Sequence, residues 1–141
     1  MTATAVPGLS ATRVKRWTVW AGRIITILPV LILLWSARSK LTFDPWYVAE
    51  WGRIGYATSA LRGIGLLQLT CLALYLIPPT SVLGAVLLTG YLGGAISAYV
   101  RLGEPIPPLV PLTTALLAWL GLYLREERLR SLLPFRRNAA R

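Results

Sequence analysis

Apolar residues occupy the chain in long blocks separated by short polar or turn-forming segments. From Gly63 to Val100 no charged residue occurs, and the only interruption is Ile77 to Ser81, IPPTS. A helix needs about 20 apolar residues to cross a bilayer, and the Pro-Pro pair marks a turn. This stretch therefore predicts two membrane spans joined by a tight hairpin. Extended to the whole chain, the pattern predicts four spans, at about residues 17–37, 60–77, 82–100 and 109–124. The first reaches the required length only by including Arg23, which can snorkel to the headgroups beside Trp17 and Trp20. Trp35 marks the opposite interface, and Pro29 predicts a kink between them. The fourth span is short and carries Pro111 near its start.

The connections carry structure of their own. In residues 38–57, Asp44 followed by Pro45 makes an N-cap and first-turn pair, and Gly55 is placed to stop a helix. A short helix over about 45–54 would put Tyr47, Trp51 and Ile54 on one side and Trp46, Glu50 and Arg53 on another. It is expected to lie in the interface across the outer end of the bundle. The expected fold class is thus all-α: an integral membrane four-helix bundle with a short interfacial helix between spans one and two. Residues 1–16 predict a disordered cytoplasmic tail. A basic stretch before an apolar run also resembles a signal peptide, but the run exceeds the usual length and no clear cleavage pattern follows. The first span is expected to stay in place. Residues 126–141 predict a basic amphipathic cytoplasmic tail that anchors to anionic lipid.

Composition agrees with a membrane chain and narrows the chemistry. The 141 residues are 55% hydrophobic and 14% charged, with a net charge of +10. On a soluble fold such an excess would suggest nucleic acid. Here the basic residues flank apolar segments, which is the positive-inside pattern, so nucleic-acid binding is not expected. Three Lys or Arg precede span one and six follow from Arg125 onward, against four from Arg38 to Arg62 and one in the third connection. That bias places both termini in the cytoplasm. The chain has no histidine and a single cysteine, Cys71, which removes an intrachain disulfide, a Cys-x-x-Cys pair, bis-histidine haem ligation and an ordinary zinc or copper site. No metal site is expected.

Polar and small residues inside the apolar blocks supply the candidate sites. Gly90, Gly94 and Ala98 recur every four residues and form a stripe against which another helix can pack closely. One position along, Thr89, Gly93, Ser97 and Arg101 form an edge that grows polar toward the outer end, and Tyr91, Ala95 and Tyr99 form a third. Arg101 would face the bundle, with Glu104 and Glu50 as its natural partners and Asp44 occupied as a cap. Gln68 is the one strongly polar side chain at hydrocarbon depth, so its amide must find partners between helices or on a bound carbonyl. Tyr75 and Cys71 read as packing. No catalytic triad, paired carboxylates or phosphate loop is present, which argues against an enzyme acting alone. A small multidrug-type transporter would need a membrane-embedded carboxylate, and all five acids lie in connections or the tail.

Several segments together resemble the DoxX-like family of small bacterial membrane proteins: SKLT (Ser39 to Thr42), GYATSALRGIGLLQL (Gly55 to Leu69), YLIPPT (Tyr75 to Thr80), GYLGGAISAYVRLGEP (Gly90 to Pro105) and AWLGLYLREERLRSLLP (Ala118 to Pro134). The resemblance runs from about Ser36 to Pro134. It implies a four-helix bundle in the bacterial plasma (inner) membrane. The family takes its name from a membrane subunit linked to thiosulfate oxidation with quinone as acceptor, and relatives are associated with membrane oxidoreductase assemblies. Lys40 matches the family's lysine after span one, and Arg101 its arginine after the Gly-Gly-Ala run. Tyr99 stands where many relatives carry a histidine, which weakens a proton-relay role but leaves a hydroxyl able to bond a quinone oxygen. The resulting expectation is a pocket for a hydrophobic small molecule, with quinone as the candidate cofactor. Lys40, Tyr99 and Arg101 would form its rim and Gln68 its floor, with Glu50, Tyr91, Ser97 and Glu104 as further ligand candidates. Expected partners are the lipid bilayer and a redox subunit or a second copy of the chain. The alternative expectation is a non-catalytic scaffold using the glycine stripe.

Overall fold

A computed structural model describes residues 8–126 and Leu129. All regular structure among them is helical: α1 (Gly8–Leu41), α2 (Pro45–Ile54), α3 (Ala60–Leu76), α4 (Ser81–Arg101) and α5 (Leu109–Arg125), with a 3₁₀ turn at Pro78–Thr80 between α3 and α4. Helix α1 packs on α3 and α5, and α4 also packs on α3 and α5, while α2 touches α1. Helix α1 differs from the expectation at its start. Residues 8–16, expected as an unpatterned tail, continue the helix without a break, since a helix already nucleated in the apolar segment extends at little cost per residue. The basic tail expected from residue 126 lies outside the described residues apart from Glu126 and Leu129.

The packing faces follow from helical periodicity. On α3 the buried residues are Leu61, Gly65, Gln68, Cys71, Leu72 and Tyr75, spacings of three and four that make one stripe. Helix α4 contributes Ala85, Leu88 and Leu92, and α5 contributes Ala118 and Leu122, to a core that also holds Leu33 of α1. The outward faces are apolar as well. Leu66, Leu67, Leu83, Val86, Leu116 and Leu120 are all exposed, an area far larger than a water-soluble monomer leaves bare. Two segments, Arg16–Leu41 and Pro78–Arg101, are long and apolar enough to cross a membrane, and only 22% and 28% of their most apolar windows are buried. Buried core helices of soluble proteins would show the reverse. Helices α3 and α5 are apolar but shorter, at 17 residues each.

Close helix approach depends on glycines other than those the sequence singles out. A Cβ at Gly84 would collide with the backbone of Leu74 and Tyr75, and one at Gly121 with Thr26 Oγ1. At Gly22 it would lie 2.9 Å from the Gly121 carbonyl. These residues let α4 meet α3 and α1 meet α5. By contrast, a Cβ at Gly90, Gly93 or Gly94 would meet nothing within 4 Å. Among the described residues, therefore, no helix packs closely on Gly90 and Gly94 of the stripe, because α4 turns its Ala85, Leu88, Leu92 face to its neighbours instead.

The link between α1 and α3 is built as the polar pattern requires. Asp44 caps α2, its Oδ1 accepting from the Trp46 N–H at 3.0 Å, and Pro45 opens the helix. Gly55 ends it in the left-handed region at φ 88°, where a side chain would be strained. Phe43 also adopts positive φ, at 54°, and the Arg62 guanidinium stacks over its ring at 4.8 Å.

Candidate functional site

The buried polar centre lies where α1, α3 and α4 meet beneath α2. Ser36 and Lys40 are one helical turn apart on α1, and Lys40 is only 4% exposed. Its Nζ donates to Ser36 Oγ at 2.5 Å and to Gln68 Oε1 at 3.0 Å. Gln68 is fully buried on α3. The same Oε1 accepts from the Tyr91 hydroxyl of α4 at 2.7 Å, and Nε2 donates to the Leu33 carbonyl at 2.8 Å. One carboxamide thus ties three helices together, and its hydrogen bonds meet the requirement that a buried amide be satisfied.

The charge at the centre is less well matched than the hydrogen bonds. Among the described residues no carboxylate forms an ion pair with Lys40; the ion pairs shown are those of Arg53 with Glu50 and with Glu104. The ammonium lies 4.9 Å from the Tyr47 ring centroid and 6.0 Å from that of Tyr91. Such ring faces contribute about 0.5–2 kcal/mol each, but they do not neutralise the charge. A buried cation without a counter-ion is an exception among folded proteins.

Directly beside this centre is a cavity of about 540 Å³, within the roughly 300–1,000 Å³ range of small-molecule sites. Lys40, Gln68, Tyr91 and Tyr99 line it, as do Gly94, Ala95 and Ala98 of α4. The small residues of α4 leave the space that larger side chains would fill. Trp35, Trp46, Tyr47 and Trp51 supply aromatic walls. Trp35 and Tyr47 meet edge to face, with centroids 6.0 Å apart, which joins α2 to α1. The Trp51 indole N–H is buried with no hydrogen-bond partner.

Helix α2 is held across this end by polar contacts. Glu50 accepts from Arg53 Nε at 2.9 Å and from Nη2 at 2.5 Å, and Arg53 Nη1 reaches Glu104 in the connection between α4 and α5. Hydrogen bonds from Arg53 hold the Glu50 carboxyl below its ordinary value. The same two carboxylates push the Arg53 guanidinium further toward its charged form. Burial pushes the Tyr47 hydroxyl up.

These positions sort the sequence candidates. Lys40, Gln68, Tyr91, Tyr99 and Glu50 come together at the cavity. Ser97 is exposed and does not line it, because it lies on the α4 face turned outward. Arg101 does not pair with Glu50 or Glu104. Its Nη2 donates to the Ile54 carbonyl at the end of α2, a favourable place for a cation because that helix end carries partial negative charge. Arg53 takes the carboxylates instead, being one turn from Glu50 on the same helix. The sequence pattern does not single out Arg53, Ser36 or Tyr47 as site residues. The signal was present for Arg53 and Glu50, which share a face of α2 at a spacing of three. The signal for Ser36 was its four-residue spacing from Lys40.

A profile of the DoxX-like family matches residues 24–121. The chain belongs to the DoxX-like family. The match spans every residue of the buried polar cluster and the whole of α2, α3 and α4. No curated protein and no solved structure shows significant similarity to the chain. The exposed apolar faces of the helices agree with a DoxX-like membrane protein, and the cavity lies at the polar end of those helices. Among the described residues no group of three or more His, Cys, Asp or Glu could hold a metal ion.

Proposed function

We propose that this DoxX-like protein spans the bacterial inner membrane four times, with both termini in the cytoplasm, and binds a hydrophobic small molecule at its outer end. The cavity bounded by Lys40, Gln68 and Tyr91 carries this reading. Its walls are apolar and aromatic, its polar groups converge on one side, and α2 covers it. A polar head offering hydrogen-bond acceptors would meet the Lys40 ammonium and the Tyr91 and Tyr99 hydroxyls, while the body lies against the Trp and Leu side chains. A quinone meets those requirements and is the candidate cofactor. Since no catalytic constellation accompanies the cavity among the described residues, the protein would act as a membrane subunit that presents the molecule to a redox partner. Extraction of the purified protein with organic solvent, followed by mass spectrometry, tests this. A lipid-soluble compound present in wild type and depleted in Gly94→Leu supports it; equal traces in both contradict it.

The open faces of Gly90 and Gly93 favour a second reading. Among the described residues no helix covers them, so they are available to a partner subunit or a second copy, as a non-catalytic scaffold would use them. Crosslinking in native membranes from a cysteine placed at Gly93 tests it, and an uncrosslinked monomer contradicts it.

A further inference from the structure

We propose that the molecule held in the cavity carries a single negative charge on its polar head, a carboxylate in the manner of a fatty acid, and that Lys40 is its counter-ion. This inference rests on the reading of the cavity as a ligand site, and it puts an anionic amphiphile in the place of the neutral quinone as the occupant.

The central observation is the mismatch between satisfied hydrogen bonds and unsatisfied charge. The Lys40 ammonium is buried, and both oxygens it donates to, Ser36 Oγ and Gln68 Oε1, are neutral. The groups facing it from the elements packed around it are Ser36 on α1, Tyr47 on α2, Gln68 on α3 and Tyr91 on α4. None is a carboxylate. Glu50 lines the same cavity, but Arg53 is paired with it. Glu104 is likewise bonded to Arg53. Asp44 is taken up as the cap of α2, and among the described residues Lys40 is the buried cation that no carboxylate pairs.

The geometry also suits an anionic oxygen. Lys40 Nζ and the Tyr91 hydroxyl already converge on one acceptor, Gln68 Oε1, at 3.0 and 2.7 Å. The amide oxygen holds the two donors in place, and a ligand oxygen in the adjoining cavity could share them. Hydrogen bonds to a charged partner are shorter and stronger than those to a neutral one, so a carboxylate would compete well for donors that an amide only partly satisfies. One ammonium matches a monoanion. A phosphate dianion would call for a second free cation, and Arg53 already bridges two carboxylates. Much of the remaining lining is apolar, with Ile32, Leu33, Leu67, Leu92 and Val110 and Trp35 beside them. Leu67, Trp35 and Val110 are also exposed, so the cavity reaches the lipid-facing surface, from which an amphiphile could arrive tail and head together.

The test compares dodecanoate with dodecanol, which share a chain and differ in the charge of the head. Binding of each is measured at neutral pH to the full-length protein in a non-ionic detergent, with Gly94→Leu, which fills the cavity, as background. Wild type should bind dodecanoate roughly tenfold to hundredfold more tightly than dodecanol. Lys40→Met should abolish the preference and Lys40→Arg should retain it. Equal binding of the two probes to wild type overturns the anionic assignment and leaves the cavity reading standing. So does a neutral decyl-substituted quinone that binds more tightly than dodecanoate. If no probe, the quinone included, binds wild type above the Gly94→Leu background, the cavity reading falls as well. The wild-type comparison decides the matter even if Lys40→Met does not fold.

Discussion

Lys40 Nζ and Gln68 Oε1 lie 3.0 Å apart across 28 positions of sequence, and this contact joins the end of α1 to the middle of α3 in an otherwise apolar interior. Gln68 contributes to stability because every polar atom of its side chain is used. Gln68→Leu would leave the Tyr91 hydroxyl without its acceptor and Lys40 with one oxygen fewer. An unsatisfied buried donor costs about 1–3 kcal/mol, so thermal unfolding in detergent should show a clear loss of stability for this variant.

Lys40→Met should behave in the opposite way. It removes a buried charge without a counter-ion and fills the same volume with an apolar chain, a change that is often neutral or stabilising. The expected outcome is an unfolding temperature equal to or above that of wild type, together with loss of ligand. A destabilised Lys40→Met would mean that the ammonium is held for structure.

The two classes of glycine should separate cleanly. Gly84→Ala drives a Cβ into the backbone of Leu74 and Tyr75, so it should loosen the α3–α4 hairpin and lower the unfolding temperature by several degrees. Gly90→Ala and Gly94→Ala meet open space. In the detergent-solubilised monomer they should be neutral or slightly stabilising, given alanine's better helix propensity of about 1 kcal/mol. The sequence shows small residues every four positions on α4 but not which stripe faces a neighbour. That depends on how α3 and α5 are set against α4, which is a property of the assembled bundle.

Much else was legible locally. The bounds of α2 follow from Asp44, Pro45 and Gly55, each of which acts through its own backbone geometry. Gln68 announces a polar interior contact because no amide is tolerated alone among Leu side chains. The partner of Arg101 was not legible: Glu104 is close in sequence and Glu50 far, and it bonds neither, reaching the Ile54 carbonyl instead. Arg53 wins Glu50 by being one helical turn away, and only the fold brings Glu104 within its reach.

The clasp over the cavity should respond to acid. Hydrogen bonds from Arg53 depress the Glu50 carboxyl, so its contribution is fully present above the ordinary carboxylate range and is lost as pH falls through the lowered value. Arg53 and Glu104 are partly exposed, with 45% and 32% of their side chains accessible, so the effect on global stability should be small. The local effect should be visible. Amide exchange over residues 45–54 should accelerate as pH falls below the ordinary carboxylate range, after correction for intrinsic rates, and Arg53→Ala should show the same loosening at neutral pH. Unchanged exchange in Arg53→Ala would show that the aromatic contacts of Tyr47 and the bond from Arg101 to the Ile54 carbonyl suffice to hold α2.

The most direct measurement is native mass spectrometry of the full-length protein released from its own membranes in mild detergent. A cavity that holds a hydrophobic small molecule predicts a bound mass of constant value on wild type, removed by gentle activation and absent from Gly94→Leu. A wild-type spectrum carrying only detergent and heterogeneous phospholipid, indistinguishable from that of Gly94→Leu, would contradict the account.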